Sequence, residues 1–385
     1  MRIIVAIVLT LLSTSLCWAQ NSSEATNNEM TEEERGLPVD VSAPTPINPI
    51  KKRDKDEFVI APIPFLNPSQ GWGLALVGQY IFTMDDDSSP PSILAGGVFY
   101  TEKHSYGGAL GYLGKLRNDH WRLGLLTGKA TIFYNFYGIG YDENKKGLSI
   151  PIEQNISFVG LQVLYRVAER VFTGIQFLGV DLKTSISTSD PQYESASTEL
   201  STESKFFAPI IKIQRDDRND TFYPTDGSLS NISAEFHQEA WGDIDTYQIY
   251  KIDWNQYIKV ADFDVLAYRV MTRLTYGNVP FYDLSSFGMQ SDLRGFESGK
   301  YRDKMMWAGQ GEWRHRFTDR WGGVVFAGLG EVAPSVSEFS YSKVLTSGGL
   351  GVRFRIADKN PLDFRFDVAY GDTNFSYYFS VGQAF

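Results

Sequence analysis

Cysteine is almost missing from this chain: Cys17 is the only one in 385 residues. That excludes a disulfide framework, a cysteine-ligated metal and thiol catalysis. Histidine is nearly as scarce. The four present, His104, His120, His237 and His315, are widely separated and show no metal-ligand spacing. There is no Gly-x-Ser-x-Gly elbow. Gly124-Leu125-Leu126-Thr127-Gly128-Lys129 has the wrong spacing for a phosphate loop and continues with Ala130, so it reads as ordinary strand. The acidic run Asp85-Asp86-Asp87 reads as a solvated turn. No enzymatic activity, metal or cofactor is expected. Basic residues are in deficit, 36 against 46 acidic, which argues against a nucleic-acid partner. Beyond the first residues no stretch is apolar for long enough to cross a bilayer as a helix.

At the start, Arg2 precedes an apolar run, Ile3 to Leu12, followed by Ser13-Thr14-Ser15-Leu16-Cys17-Trp18-Ala19. Residues 1–19 read as a secretory signal peptide cut after Ala19, and the run is too short for a membrane helix. Leu16 is bulky where a lipoprotein signal wants a small residue before its cysteine, so lipidation of Cys17 is not expected. Cleavage leaves 35 basic against 46 acidic residues, a net charge of −11, and no cysteine. Residues 20–57 are polar, rich in Glu, Asn, Pro and Lys, and without periodicity. They read as a disordered segment in the periplasm, too short for an independent domain.

Aromatics, by contrast, are plentiful: 26 Phe and 21 Tyr, 14% aromatic with Trp included. From Phe58 onward, strand-like runs recur between clusters of Asp, Asn, Gly and Pro. Sixteen candidates fit, near 58–65, 72–83, 92–101, 104–114, 120–131, 153–167, 170–184, 204–215, 227–239, 245–259, 263–276, 305–317, 320–332, 345–357, 361–371 and 375–385. An even count suits a single-chain barrel with both ends in the periplasm. In Asp363-Phe364-Arg365-Phe366-Asp367-Val368-Ala369-Tyr370 the charges fall on one face and the apolar residues on the other; Glu312-Trp313-Arg314-His315-Arg316-Phe317 repeats this. A soluble sandwich also alternates, but it would bury the aromatics and expose the charges, and it would not explain the signal peptide. The reading is all-β: residues 58–385 form a 16-stranded antiparallel transmembrane β-barrel, charges toward the lumen and aromatics toward lipid. At the end, Tyr377, Phe379, Val381 and Phe385 share one face with Phe375, while Ser376, Ser380, Gly382 and Ala384 fill the other. The first strand is the weakest, because Pro62 and Pro64 cannot donate to a ladder. It predicts a poor seam against 375–385.

Two segments go beyond a generic barrel pattern. One is the turn Arg215-Asp216-Asp217-Arg218-Asn219-Asp220-Thr221-Phe222-Tyr223-Pro224-Thr225-Asp226-Gly227, in which Pro224 and Gly227 bracket a tight turn. Its plain reading is a periplasmic hairpin with a charged lip. The other is Leu293-Arg294-Gly295-Phe296, inside the longest loop between strands and followed by five candidate strands. In this order, with the aromatic terminus that is similar to an outer-membrane assembly signal, they resemble the bacterial surface antigen barrel of the BamA superfamily. That superfamily includes outer-membrane protein insertases and two-partner-secretion transporters. The resemblance covers about residues 58–385.

The resemblance implies a Gram-negative outer-membrane location and an external loop folded into the lumen, where Arg294 contacts the wall. Glu312 and Asp367 are the candidate acceptors. Phe326-Ala327-Gly328-Leu329-Gly330 matches the wall motif, with Gly328 and Gly330 leaving room for the loop backbone; many relatives have Asp where Gly328 stands. The superfamily's periplasmic client-binding domains do not fit within 20–57. Three roles follow: assisting insertion into or translocation across the outer membrane by parting the seam between first and last strands; a passive pore; or a barrel subunit working with a separate periplasmic protein. The first is preferred, with outer-membrane lipids around the barrel and unfolded outer-membrane or secreted proteins as clients.

Overall fold

The computed structural model describes residues 57–67, 69–82, 92–187, 200–220, 223–288, 291–357, 362–372 and 374–385. The signal peptide, the rest of the 20–57 segment and Asp85–Asp87 lie outside them. β1 (Glu57–Asn67), β2 (Gly71–Phe82), β3 (Ser92–Thr101), β4 (Tyr106–Leu116), β5 (Trp121–Phe136), β6 (Ile150–Ala168), β7 (Val171–Ile186) and β8 (Thr202–Asp216) form the first half of the chain's strands. β9 (Gly227–His237), β10 (Tyr247–Ala261), β11 (Asp264–Gly277), the two-residue β12 (Ser285–Ser286) and β13 (Arg302–Asp303), and β14 (Met305–Arg316), β15 (Trp321–Ala333), β16 (Leu345–Ala357), β17 (Leu362–Gly371) and β18 (Asn374–Val381) complete the set. All except β12 and β13 close into one antiparallel barrel of sixteen strands, each beside its neighbour in sequence, with β18 returning to β1. No helix among the described residues is long and apolar enough to span a membrane.

Period-two alternation sets the faces. Trp72, Leu76, Val98, Leu110, Ile175, Ile211, Val270, Trp313, Val325 and Leu350 are exposed on the outer wall. Exposed apolar side chains on this scale are intelligible only against hydrocarbon. Inside, the two halves of the wall differ. From β14 to β17 the lumen face carries Glu312, Arg314, Arg353, Asp363, Arg365 and Asp367, all buried. From β1 to β10 it is apolar toward the lumen loop, with Ile63, Val77, Phe99, Ile132, Ile152, Ile156, Phe158, Leu182 and Ile249 in one cluster, and polar toward the opposite end, where Arg122, Gln214, Asn231 and Asp253 are linked by hydrogen bonds. Val279, Phe281 and Tyr282 of the loop after β11 pack on that apolar wall. The expected charged lumen is therefore met in part: charges line β14 to β17 and reach Asp253 and Arg269 on β10 and β11, while the apolar stretch beside the lumen loop is covered by loop residues.

The ladders are continuous around the wall except at the closing seam. β1 pairs with β2 along its whole length, Glu57 with Ile81 through Asn67 with Gly71, and β17 pairs with β18 from Phe364–Val381 to Gly371–Asn374. Between β1 and β18, Leu66 with Phe379 is the one pair among the described residues. Pro62 and Pro64 contribute no N–H to this edge. The end of the chain also departs from the sequence reading. Phe385 is not on the aromatic outer face: β18 stops at Val381, and Gly382, at φ +88°, turns the chain out of the ladder. Val381 is buried in the apolar cluster with Ala61 and Ile63. Phe385 lies at the barrel mouth, where its carbonyl oxygen accepts from Arg314 Nη2 at 2.9 Å.

Candidate functional site

The connection between β11 and β14, residues 278–304, folds back through the barrel and brings Leu293-Arg294-Gly295-Phe296 against the inner wall. Its own core is apolar. Phe287, Phe296 and Tyr301 meet ring to ring at 5.4–6.0 Å, and with Leu293 they pack on Met271, Met306, Ala308 and Val332. Polar ties fasten it to several strand connections: Tyr137 donates to Glu297 at 2.7 Å, Ser298 N to Ser69 Oγ at 2.8 Å, and Tyr301 and Lys300 both bond Asp372. Arg302 N donates to Asn144 Oδ1 at 3.1 Å.

Arg294 is completely buried, and every nitrogen of its fork is used. Nη2 donates to Glu312 Oε2 at 2.6 Å, Nη1 to Asp367 Oδ2 at 2.7 Å, and Nε to Gln310 Oε1 at 3.2 Å. Both candidate acceptors bind it at once, one from β14 and one from β17, so the loop bridges strands that are not neighbours. The guanidinium also sits 3.5 Å from the Phe326 ring centroid, which adds a cation–π contact in a site without water exposure. Burial opposes charge on Arg294, but Glu312 and Asp367 outweigh it and hold the group protonated more firmly than a free arginine. A second tier of arginines completes the wall: Arg314 Nε donates to Glu312 Oε1 at 2.7 Å and Arg353 Nη1 to Asp367 Oδ1 at 2.6 Å. Only a planar fork can satisfy three acceptors in one plane in this way.

Gly295 carries the motif's backbone requirement. Its φ is +103°, and a Cβ there would lie 3.0 Å from Ser347 Cβ and 3.3 Å from the Gly371 nitrogen. Its N–H donates to Tyr378 Oη at 2.8 Å. Gly328 and Gly330 do make room, but for the Leu293 side chain and not for backbone: a Cβ on Gly328 would come within 2.5 Å of Leu293 Cδ1. The close backbone approach is at Gly371, against the Gly295 carbonyl. A Gly295→Ala variant should therefore lose about 1–3 kcal/mol of loop anchoring through backbone strain. Faster proteolysis within 278–304, with unchanged outer-wall β-structure by circular dichroism, would register it.

The turn motif behaves less simply than a hairpin lip. Arg215 bonds Asp217 at 2.9 Å at the surface, Arg218 bonds Asp216 at 2.8 Å in a part-buried pair, and Asp226 N donates to Asn219 Oδ1 at 3.2 Å. Gly227 adopts φ +90°. But Tyr223 is buried and points into the mouth, where the guanidinium groups of Arg316 and Arg355 lie 4.5 and 5.1 Å from its ring centroid. Pro224 O accepts from Arg314 Nη1 at 3.3 Å. The turn, Phe385 and the arginine wall thus meet at the rim where the barrel's ends lie. Of the terminal residues, Tyr377 and Phe379 remain on the outer face of β18, while Tyr378 between them points inward to the loop motif. Sequence reading missed Tyr378 and Tyr223; the signal for Tyr378 was an aromatic among serines on the lumen-facing positions.

Comparison with known proteins agrees with this arrangement. Among solved structures, BamA from Haemophilus ducreyi lacking POTRA domains 1–3 matches with a TM-score of 0.58 at 16% identity, over 85% of this chain and 70% of that one. CdiB from Acinetobacter baumannii matches with a TM-score of 0.55 at 11% identity, over 85% of this chain and 59% of that one. CdiB from Escherichia coli gives 0.55 at 11% identity, over 84% and 62%. The chain thus spans about three fifths of the length of either CdiB. No curated protein matches it. The model of the Omp85 superfamily domain matches residues 105–385, which include the turn, the loop motif and the wall strands. The chain belongs to the Omp85 superfamily.

Proposed function

We propose that this outer-membrane barrel assists the insertion of client proteins into the outer membrane, or their passage across it, by opening between β1 and β18. The observation that carries this reading is the seam, paired at Leu66–Phe379 while both strands are fully laddered on their other sides. An edge with free N–H and C=O groups is a template for an incoming strand, and here it takes few broken hydrogen bonds to expose one. A passive pore needs the opposite, a shut wall and a clear lumen. The loop through the lumen, held by Arg294, supports the assembly reading. We assign no enzymatic activity, and we place client delivery with a separate periplasmic protein at the rim bearing the barrel's ends. Vesicles containing the full chain should speed the membrane insertion of an unfolded outer-membrane porin over protein-free vesicles. Equal rates, with rapid leakage of small solutes, would replace the proposal with the pore.

A further inference from the structure

A second buried charged cluster lies at the opposite rim from Phe385, far along the loop from Arg294. Glu235 and His237 stand two residues apart on β9, so both side chains face the lumen. Asp283 reaches them from the first arm of the 278–304 loop. His237 Nε2 lies 2.9 Å from Glu235 Oε1 and 4.0 Å from Asp283 Oδ2, and the three ligand atoms fall within 4.8 Å of one another. His237 is fully buried and Asp283 nearly so.

Two of the three, His237 and Asp283, are held from behind. The His237 ring stacks on Tyr247 with centroids 4.0 Å apart and planes at 9°, and meets Phe206 edge-on at 5.2 Å. Arg273 Nη2 donates to Asp283 Oδ1 at 2.7 Å and Arg273 Nη1 to its carbonyl oxygen at 2.6 Å. Tyr247 Oη donates to Asp283 Oδ2 at 3.0 Å. Arg273 therefore offsets one carboxylate and aims the other oxygen of Asp283 toward His237. With Glu235 the cluster holds two carboxylates against one guanidinium. Two carboxyl oxygens and one imidazole nitrogen thus converge on one buried point, and that combination is a cation slot.

The donor set decides which cation. One imidazole nitrogen and two carboxylate oxygens suit zinc-class divalent ions, which take three protein ligands and leave a fourth position for water. Magnesium and calcium prefer oxygen alone. Tetrahedral bonds of about 2.0–2.1 Å place ligand atoms roughly 3.3 Å apart. The separations of 2.9 and 4.0 Å bracket that value. We propose that His237 Nε2, Glu235 Oε1 and Asp283 Oδ2 bind one zinc-class divalent ion that clamps the first arm of the lumen loop to β9. Arg273 and Tyr247 are its outer partners, orienting Asp283 as such partners do at metal sites. The histidine spacing hid this, because two ligands sit on one strand face and the third arrives from a distant loop.

The test uses the full chain in detergent, stripped with a chelator and re-equilibrated with zinc alone. Elemental analysis should find one zinc per chain, and calorimetry a single site. His237→Ala and Glu235→Gln should each weaken binding at least tenfold, the loss that even outer partners of a metal produce. Zinc should also slow proteolysis of 278–304 in the native chain and not in Glu235→Gln, which keeps the shape of the site. Both variants are scored only as folded barrels, by heat-modifiable gel mobility. Failure of the native chain to retain zinc, or equal retention by either folded variant, overturns the proposal.

Discussion

Replacing Arg294 with Ala should release the lumen loop and lower the temperature at which the barrel loses its compact, heat-modifiable gel mobility. Glu312 and Asp367 have no solvent exposure, so removing their shared partner leaves each of two buried carboxylates one ion pair short in a low-dielectric site. Breaking a buried pair costs on the order of 3–5 kcal/mol. Arg314 still bonds Glu312 and Arg353 still bonds Asp367, which places the loss near the lower end of that range. Gly295 and Phe296 then lose the anchor that presses them on Tyr378 and Phe287, and 278–304 becomes the first site of proteolysis. Arg294→Lys should recover little, because one ammonium cannot reach Gln310, Glu312 and Asp367 together. An Ala variant with native protease resistance and native melting would show that the loop is held by its apolar core alone.

The Arg294 contact was legible in the sequence because the motif's resemblance implied a loop inside the lumen and alternation put Glu312 and Asp367 on the lumen face, where a guanidinium needs acceptors. What alternation cannot give is the offset between strands that are not adjacent. That offset depends on barrel shear, and it is why both acids meet one arginine and why Arg314 and Arg353 back them. Nor does alternation report where a strand stops. Phe385 continues the pattern of Phe375, Tyr377 and Phe379 on paper, but Gly382 turns the chain away from lipid and Arg314 receives it. The apolar inner wall from β1 to β10 was illegible for a related reason. Stretches such as Ala130-Thr131-Ile132-Phe133-Tyr134 are apolar on both faces, and only the packing of Phe281 and Tyr282 shows which side is covered.

Locking the seam should abolish client insertion while leaving the barrel folded. The register selects the residues. Leu66 lies opposite Phe379, so Val381 falls opposite Pro64 and Ile60 is too far out of register to reach it. Directly opposed antiparallel residues have Cα atoms roughly 4.5–5.5 Å apart, within the range a disulfide spans. In a Cys17→Ser background, which removes the native cysteine, Leu66→Cys with Phe379→Cys should close the edge covalently under oxidation. If client strands pair with an edge of β1 or β18, the oxidised barrel should insert the porin no faster than protein-free vesicles, and reduction should restore the rate. The Arg294 anchor lies close by, on Asp367 of β17, and Gly295 bonds Tyr378 next to Phe379, so native loop protease resistance in both states is the control showing that the bond acts on the seam and not on the loop. Full insertion activity in the locked barrel would move the client route from the seam to the lumen, and the loop that fills it would then have to leave.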